Sequence, residues 1–170
     1  MLSKPFIENY FLAEKQAGVL FMITGILGII LAVILLIVLK SSFVRGMAIP
    51  LIAIGVIQFI VGFTVHRRSD QQRSDIVYAF DLDPAKLRNE ELPRMEKVTK
   101  SFKPIMIAEV VLLVAGLVLF FVFRNQETGI FWYGIGFALA SEAIVSLIMD
   151  YFAEKRAHEY LEALRSYFKI

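Results

Sequence analysis

Glu142 stands inside an otherwise apolar run, Ile130 to Met149, that is long enough to cross a bilayer as a helix. A carboxylate at mid-bilayer costs roughly 2.5–3.5 kcal/mol on insertion scales, so it is expected to face a partner or a watery interior rather than lipid. Three other apolar runs each carry one comparable polar residue: Thr24, Gln58 and Glu109. At a rise of about 1.5 Å per residue, Glu142 lies about 12 Å inside Asp150 and Gln58 about 12 Å inside His66. On the same scale Glu109 lies about 9 Å inside Lys103 and Thr24 about 10 Å inside Ala17. If their faces converge, Glu142, Glu109, Gln58 and Thr24 form one intramembrane polar layer with two carboxyl groups.

Two carboxylates sharing a low-dielectric site need a proton or a cation between them, which is the chemistry of a proton- or cation-binding site. Ser141 and Ser146 could add hydroxyl ligands. His66, Asp150, Glu154 and His158 stand at the polar edge and form a candidate entrance, with Glu162 extending the stripe. Steps of four residues drift by about 40° each, so that stripe reads equally as an exposed, salt-bridged helix face. Glu109 can also reach the headgroups by snorkelling. The plain alternative for Glu142 is a hydrogen bond to Gln58 or Thr24 that fixes helix register.

Other chemistry finds little support. The chain has no cysteine, which excludes disulfides, thiolate metal sites and thiol nucleophiles. Its two histidines lie outside the apolar runs, and no Glu-x-x-His pairs, Walker loop, H-E-x-x-H or serine–histidine–acid pattern occurs, so no catalytic residue, metal or cofactor is expected. Asp81-Leu-Asp83 before Pro84 reads as turn and cap chemistry rather than as a metal motif. A net charge of +2 gives no reason to expect nucleic acid.

The elements that must carry these residues follow from composition. Of 170 residues, 58% are hydrophobic, more than one soluble core of this size could bury. The expected fold is all-α: four transmembrane helices, at about 17–39, 47–65, 104–123 and 130–149, in one integral membrane domain over 1–170. Residues 40–46 and 124–129 are tight connections, so the helices form two tandem hairpins. Pro50 is expected to start the second span. The segment 66–103 is expected to hold two short helices, about 84–91 and 94–102, broken by Pro84 and Pro93. An N-terminal helix around Phe6 to Phe11 is expected either to lie in the interface or to be the frayed beginning of the first span, and the tail 150–168 to leave the membrane as an amphipathic helix. Polar residues among Met1 to Ala17 argue against a cleaved signal peptide.

Sliding the second half back by 84 places aligns Lys40 with Arg124, Ala32 with Gly116, Gln58 with Glu142 and His66 with Asp150, which suggests a parallel repeat of the hairpin. Gly18, Gly25, Gly28 and Ala32, Gly55 and Gly62, and Gly134 and Ala138 give each hairpin small-residue faces for close packing, within one bundle or between copies of a homo-oligomer. Of 18 Lys and Arg, fifteen fall in the N-terminal arm, the central segment and the tail, and three in the hairpin connections. The positive-inside rule therefore places both termini and the amphipathic helices in the cytoplasm, with the protein expected in a prokaryotic cytoplasmic, or inner, membrane. Trp132 and Tyr133 fit the aromatic belt of the far interface. Functionally the sequence points to a non-enzymatic accessory or scaffolding protein whose partners are the lipid bilayer and a membrane protein or second copy. The alternative is a channel- or transporter-like protein that binds a proton or cation at the intramembrane carboxylates.

Overall fold

Four helices account for almost all of the chain, and each is much longer than a bilayer requires. The computed structural model describes residues 2–169. Helix α1 is Lys4–Val38, α2 is Ser42–Leu82, α3 is Pro84–Phe123 and α4 is Ile130–Phe168. All four carry a stretch apolar enough to span a membrane, and no strand occurs among the described residues. A 35-residue helix such as α1 is about 52 Å long, whereas the hydrocarbon core is about 30 Å thick, so roughly 20 Å or more of each helix stands outside it.

Those extensions replace several of the expected elements. Ser3 accepts a hydrogen bond from the Phe6 N–H and caps α1, which then runs unbroken into its span, so there is no separate interfacial helix. Helix α2 starts at Ser42, capped by Ser41, and Pro50 lies inside it rather than at its start. The residue four before Pro50 is Gly46, whose carbonyl the proline leaves without its helical donor and whose missing side chain lets Phe131 of the last helix approach. Past His66, α2 continues to Leu82. The two short helices expected at 84–91 and 94–102 are instead the start of α3, with a π-helical turn at Leu87–Glu91 and Pro93 in the first turn of the α-helix after it. That turn directs both Leu87 and Glu91 into the protein.

Beyond the membrane the four extensions meet in one core of Ile7, Tyr10, Phe11, Ile76, Ala79, Leu87, Met95, Tyr160, Leu161 and Leu164. The Tyr10 and Tyr160 rings stack at 4.1 Å between centroids and 8° between planes. Against them lies a buried ion pair: Arg94 Nε and Nη2 donate to the two Glu91 oxygens at 2.6 and 2.8 Å, and the Glu91 side chain is 1% exposed. Burial, followed by the nearby Glu91 charge, pushes the Tyr160 hydroxyl well above the ordinary tyrosine range, and burial with Glu14 does the same to Tyr10. At the rim Lys4 pairs with Asp81, Lys15 with Asp70, and Arg165 with Glu96. The hydrogen bond from Lys15 holds the Asp70 carboxyl below its usual range. The largest fully buried side chains of the protein, Tyr160 and Phe11 first, belong to this head.

The membrane half packs through small residues. A Cβ on Gly18 would lie 2.8 Å from the Gly62 carbonyl oxygen, and one on Gly55 would lie 2.7 Å from that of Gly25, so α1 and α2 touch backbone to backbone. Gly116 and Gly136 bring α3 and α4 equally close, and Gly46 and Gly134 seat α2 against α4. Inside the membrane the helices therefore follow one another as α1, α2, α4 and α3, with α3 resting on α4. Only 6% of the apolar window of α3 is buried, which leaves the bundle open beside it.

Burial repeats along the two halves at an offset of 88. Gly46 and Gly134, Pro50 and Ala138, Gly55 and Ala143, Gln58 and Ser146, Ser69 and Ala157, and Ile76 and Leu164 are buried on both sides of that offset. Gly28 and Gly116 match too, as do Ile7 and Met95, with Pro5 and Pro93 both in a first helical turn. The offset of 84, one helical turn away, also pairs buried residues, among them Ala32 with Gly116, Ile76 with Tyr160 and Ala79 with Ala163.

Candidate functional site

The four polar residues expected in one layer divide into separate groups. Gln58, 3% exposed, donates through Nε2 to Glu142 Oε2 at 3.2 Å and to Ser146 Oγ at 3.1 Å. This group joins α2 to α4. Glu109 of α3 bonds to none of these three; it lies beside the same face of α4, where its carboxyl faces that of Asp150. Thr24 joins neither group, because its hydroxyl donates to the carbonyls of Leu20 and Phe21 in its own helix and otherwise meets the Met149 sulfur at 3.9 Å. Ser141, weighed above as a ligand, likewise donates to its own Phe137 carbonyl.

A cavity of about 530 Å³ runs between the helices beside these groups. Ile54, Ile57, Val61 and Val65 of α2 form one wall, and Phe102, Ile105, Ala108 and Leu112 of α3 form the other. Ala143, Ser146, Asp150 and Ala153 of α4 form its floor. Gln58 and Glu109 both line it, whereas Glu142 lies behind Gln58, towards Gly28 of α1. Glu14, Arg68 and Arg156 stand at the polar end.

The chain matches no family model, no curated protein and no solved structure.

Several side chains of the site have unused hydrogen-bonding capacity. Gln58 Oε1, Glu109 Oε2 and Glu14 Oε2 are buried acceptors that receive no hydrogen bond, and Arg156 Nε is a buried donor that makes none. Two facing carboxylates are both acceptors, so Glu109 and Asp150 can bond only when a proton or a cation is held between them. Of the residues expected at an entrance, Asp150 lines the cavity. His66 lies against Gly18 at its backbone, with a buried Nδ1 that has no partner, and Glu154 is half-buried. His158 is exposed, and neither it nor Glu154 lines the cavity. No cluster of three metal-ligating side chains occurs among the described residues.

Arg68, Arg156 and the cavity itself were not foreseen. A partial signal exists: Ala143, Ser146, Asp150, Ala153 and Arg156 recur at three- and four-residue steps, one face of one helix. What the sequence lacks is the matching face of α3, which reads as lipid-facing all round.

Proposed function

We propose that the chain is a non-enzymatic accessory or scaffolding protein of the membrane, working through the helical head that stands beside the bilayer. The observation that carries this reading is the convergence of all four long helices, without a linker, into one core containing the largest buried side chains and a buried ion pair. Such a head holds its outer face in a fixed relation to the membrane, which is what a docking platform requires. The charge asymmetry supports a cytoplasmic side for the head and both termini, and in this reading the membrane is a prokaryotic cytoplasmic one. The burial repeat at 88 supports a tandem duplication of one hairpin, with α2 and α4 as the inner helices about an axis along the membrane normal.

Photo-crosslinkers placed at exposed head positions such as Tyr78, Arg88 and His158 test the proposal in native membranes. A specific heterologous membrane protein or a second copy is expected in the crosslinked product, and the same positions placed in the loop at 124–129 should not yield it. Recovery of nothing but lipid and random neighbours from every head position would refute it.

A second reading, binding of a proton or cation within the membrane, is favoured by the facing carboxyls of Glu109 and Asp150. Its test is pH- or cation-driven flux in liposomes, compared between wild type and Glu109→Gln.

A further inference from the structure

We propose that the cavity between α2, α3 and α4 binds a lipophilic amine, a molecule with an apolar body and one protonated N–H-bearing head. It goes beyond the scaffolding proposal and rests on the second reading in using the same carboxyl pair, for which it names an organic ligand instead of a bare ion.

Three observations carry it. The cavity volume, about 530 Å³, falls in the range of roughly 300–1,000 Å³ typical of small-molecule sites. Its walls are the aliphatic faces of α2 and α3, so most of an occupant must be apolar. The polar atoms inside the membrane-level part that lack a partner are acceptors, Gln58 Oε1 and Glu109 Oε2, and Gln58 is 3% exposed. A buried acceptor without a donor costs about 1–3 kcal/mol, which favours an occupant that supplies N–H groups. Asp150 beside Glu109 adds negative charge, so the complement of this set is a cationic donor rather than an alcohol or a fatty acid. Arg68 and Arg156 form no salt bridge among the described residues and stand at the polar mouth; Arg68 is exposed, whereas Arg156 Nε is a buried donor without a partner. An alkyl carboxylate with its head at that mouth is the competing occupant. It would leave Gln58 and Glu109 unsatisfied.

The experiment measures equilibrium binding of tritiated dodecylamine to the full chain in nanodiscs, with dodecanol and dodecanoate as matched probes of the same length. Saturable amine binding is expected, at least tenfold tighter than for either matched probe, and weakened tenfold or more by Glu109→Gln and by Gln58→Leu. Ala108→Trp fills the cavity from the exposed face of α3 and should abolish binding while the head keeps its near-ultraviolet tyrosine signal, so loss of fold cannot mimic loss of site. Equal binding of the three probes, tighter binding of dodecanoate, or amine binding indifferent to all three substitutions would overturn the proposal. Flux measured on the same preparations separates it from the bare-ion reading. Amine binding without proton or sodium flux upholds this site and removes that reading, and flux without amine binding does the reverse.

Discussion

Replacing Arg94 by methionine removes the partner of the most deeply buried charge in the head. Glu91 loses two charge-assisted hydrogen bonds, of 2.6 and 2.8 Å, and its carboxylate, 1% exposed, has no route to water. Breaking a buried pair from one side typically costs about 3–5 kcal/mol. The Arg94 side chain is 27% exposed, so solvent already screens part of the attraction, and about 3 kcal/mol is the expected loss. Glu91→Leu leaves the longer and more exposed guanidinium free to turn outward, and should cost about 1–2 kcal/mol. The double variant carries no unpaired buried charge and should unfold within about 1 kcal/mol of wild type. Urea unfolding of the head in mild detergent measures all four proteins, with near-ultraviolet circular dichroism following the Tyr10–Tyr160 stack. A double variant as unstable as the sum of the two single ones, or an Arg94→Met protein indistinguishable from wild type, would refute the assignment of this pair.

The tyrosine stack predicts a pH dependence. With Tyr10 and Tyr160 raised in the folded state above the ordinary tyrosine value of 10.0, the unfolded chain releases protons that the folded one retains, so stability is complete below about pH 10 and falls above it. The slope is about 1.4 kcal/mol per pH unit for each tyrosine, and Tyr160→Phe should halve the tyrosine contribution in an alkaline denaturation series. In the membrane half, Gly25→Ala places a methyl 2.9 Å from the Phe59 nitrogen and closer still to the Gly55 carbonyl, and should cost about 1–3 kcal/mol in thermal or detergent unfolding. Gly28→Ala meets the end of the Glu142 side chain first, at 3.3 Å, and should change stability by less than about 0.5 kcal/mol because that side chain can move aside.

The four apolar runs were legible because a membrane span is written in one continuous stretch. The head was not. From His66 to Leu82 the sequence is polar on most faces, and only Ser69, Ile76 and Ala79 are buried there, so nothing local distinguishes a packed helix from a loop. The partners of the Tyr10–Tyr160 stack are 150 residues apart, and their meeting depends on all four helices running on past the bilayer. Prolines misled in the same way. Pro93 stands in the first turn of an α-helix, and Pro50 and Pro104 lie inside helices that run on through them. The depth calculation found Gln58 and Glu142 together because both belong to α2 and α4, which run parallel in near register. Glu109 lines the cavity with Gln58 but shares no hydrogen bond with it, and Lys103 lies within a continuous α3 and marks no boundary from which depth can be counted. Thr24 lay at a suitable depth, but a threonine in a helix can satisfy its hydroxyl on its own backbone.

The unbroken passage of every helix from bilayer to head makes the molecule a set of levers. No hinge separates the two parts, so a change in helix tilt within the membrane is carried outward at full length. At about 1.5 Å per residue, an extension of 17 residues reaches some 25 Å, and a 10° tilt displaces its tip by about 4 Å. A thinner bilayer, which makes long helices tilt, would therefore shear the stacked tyrosines and the Glu91–Arg94 pair against one another. In such a lever a change in membrane thickness would reach the head as strain on its packing.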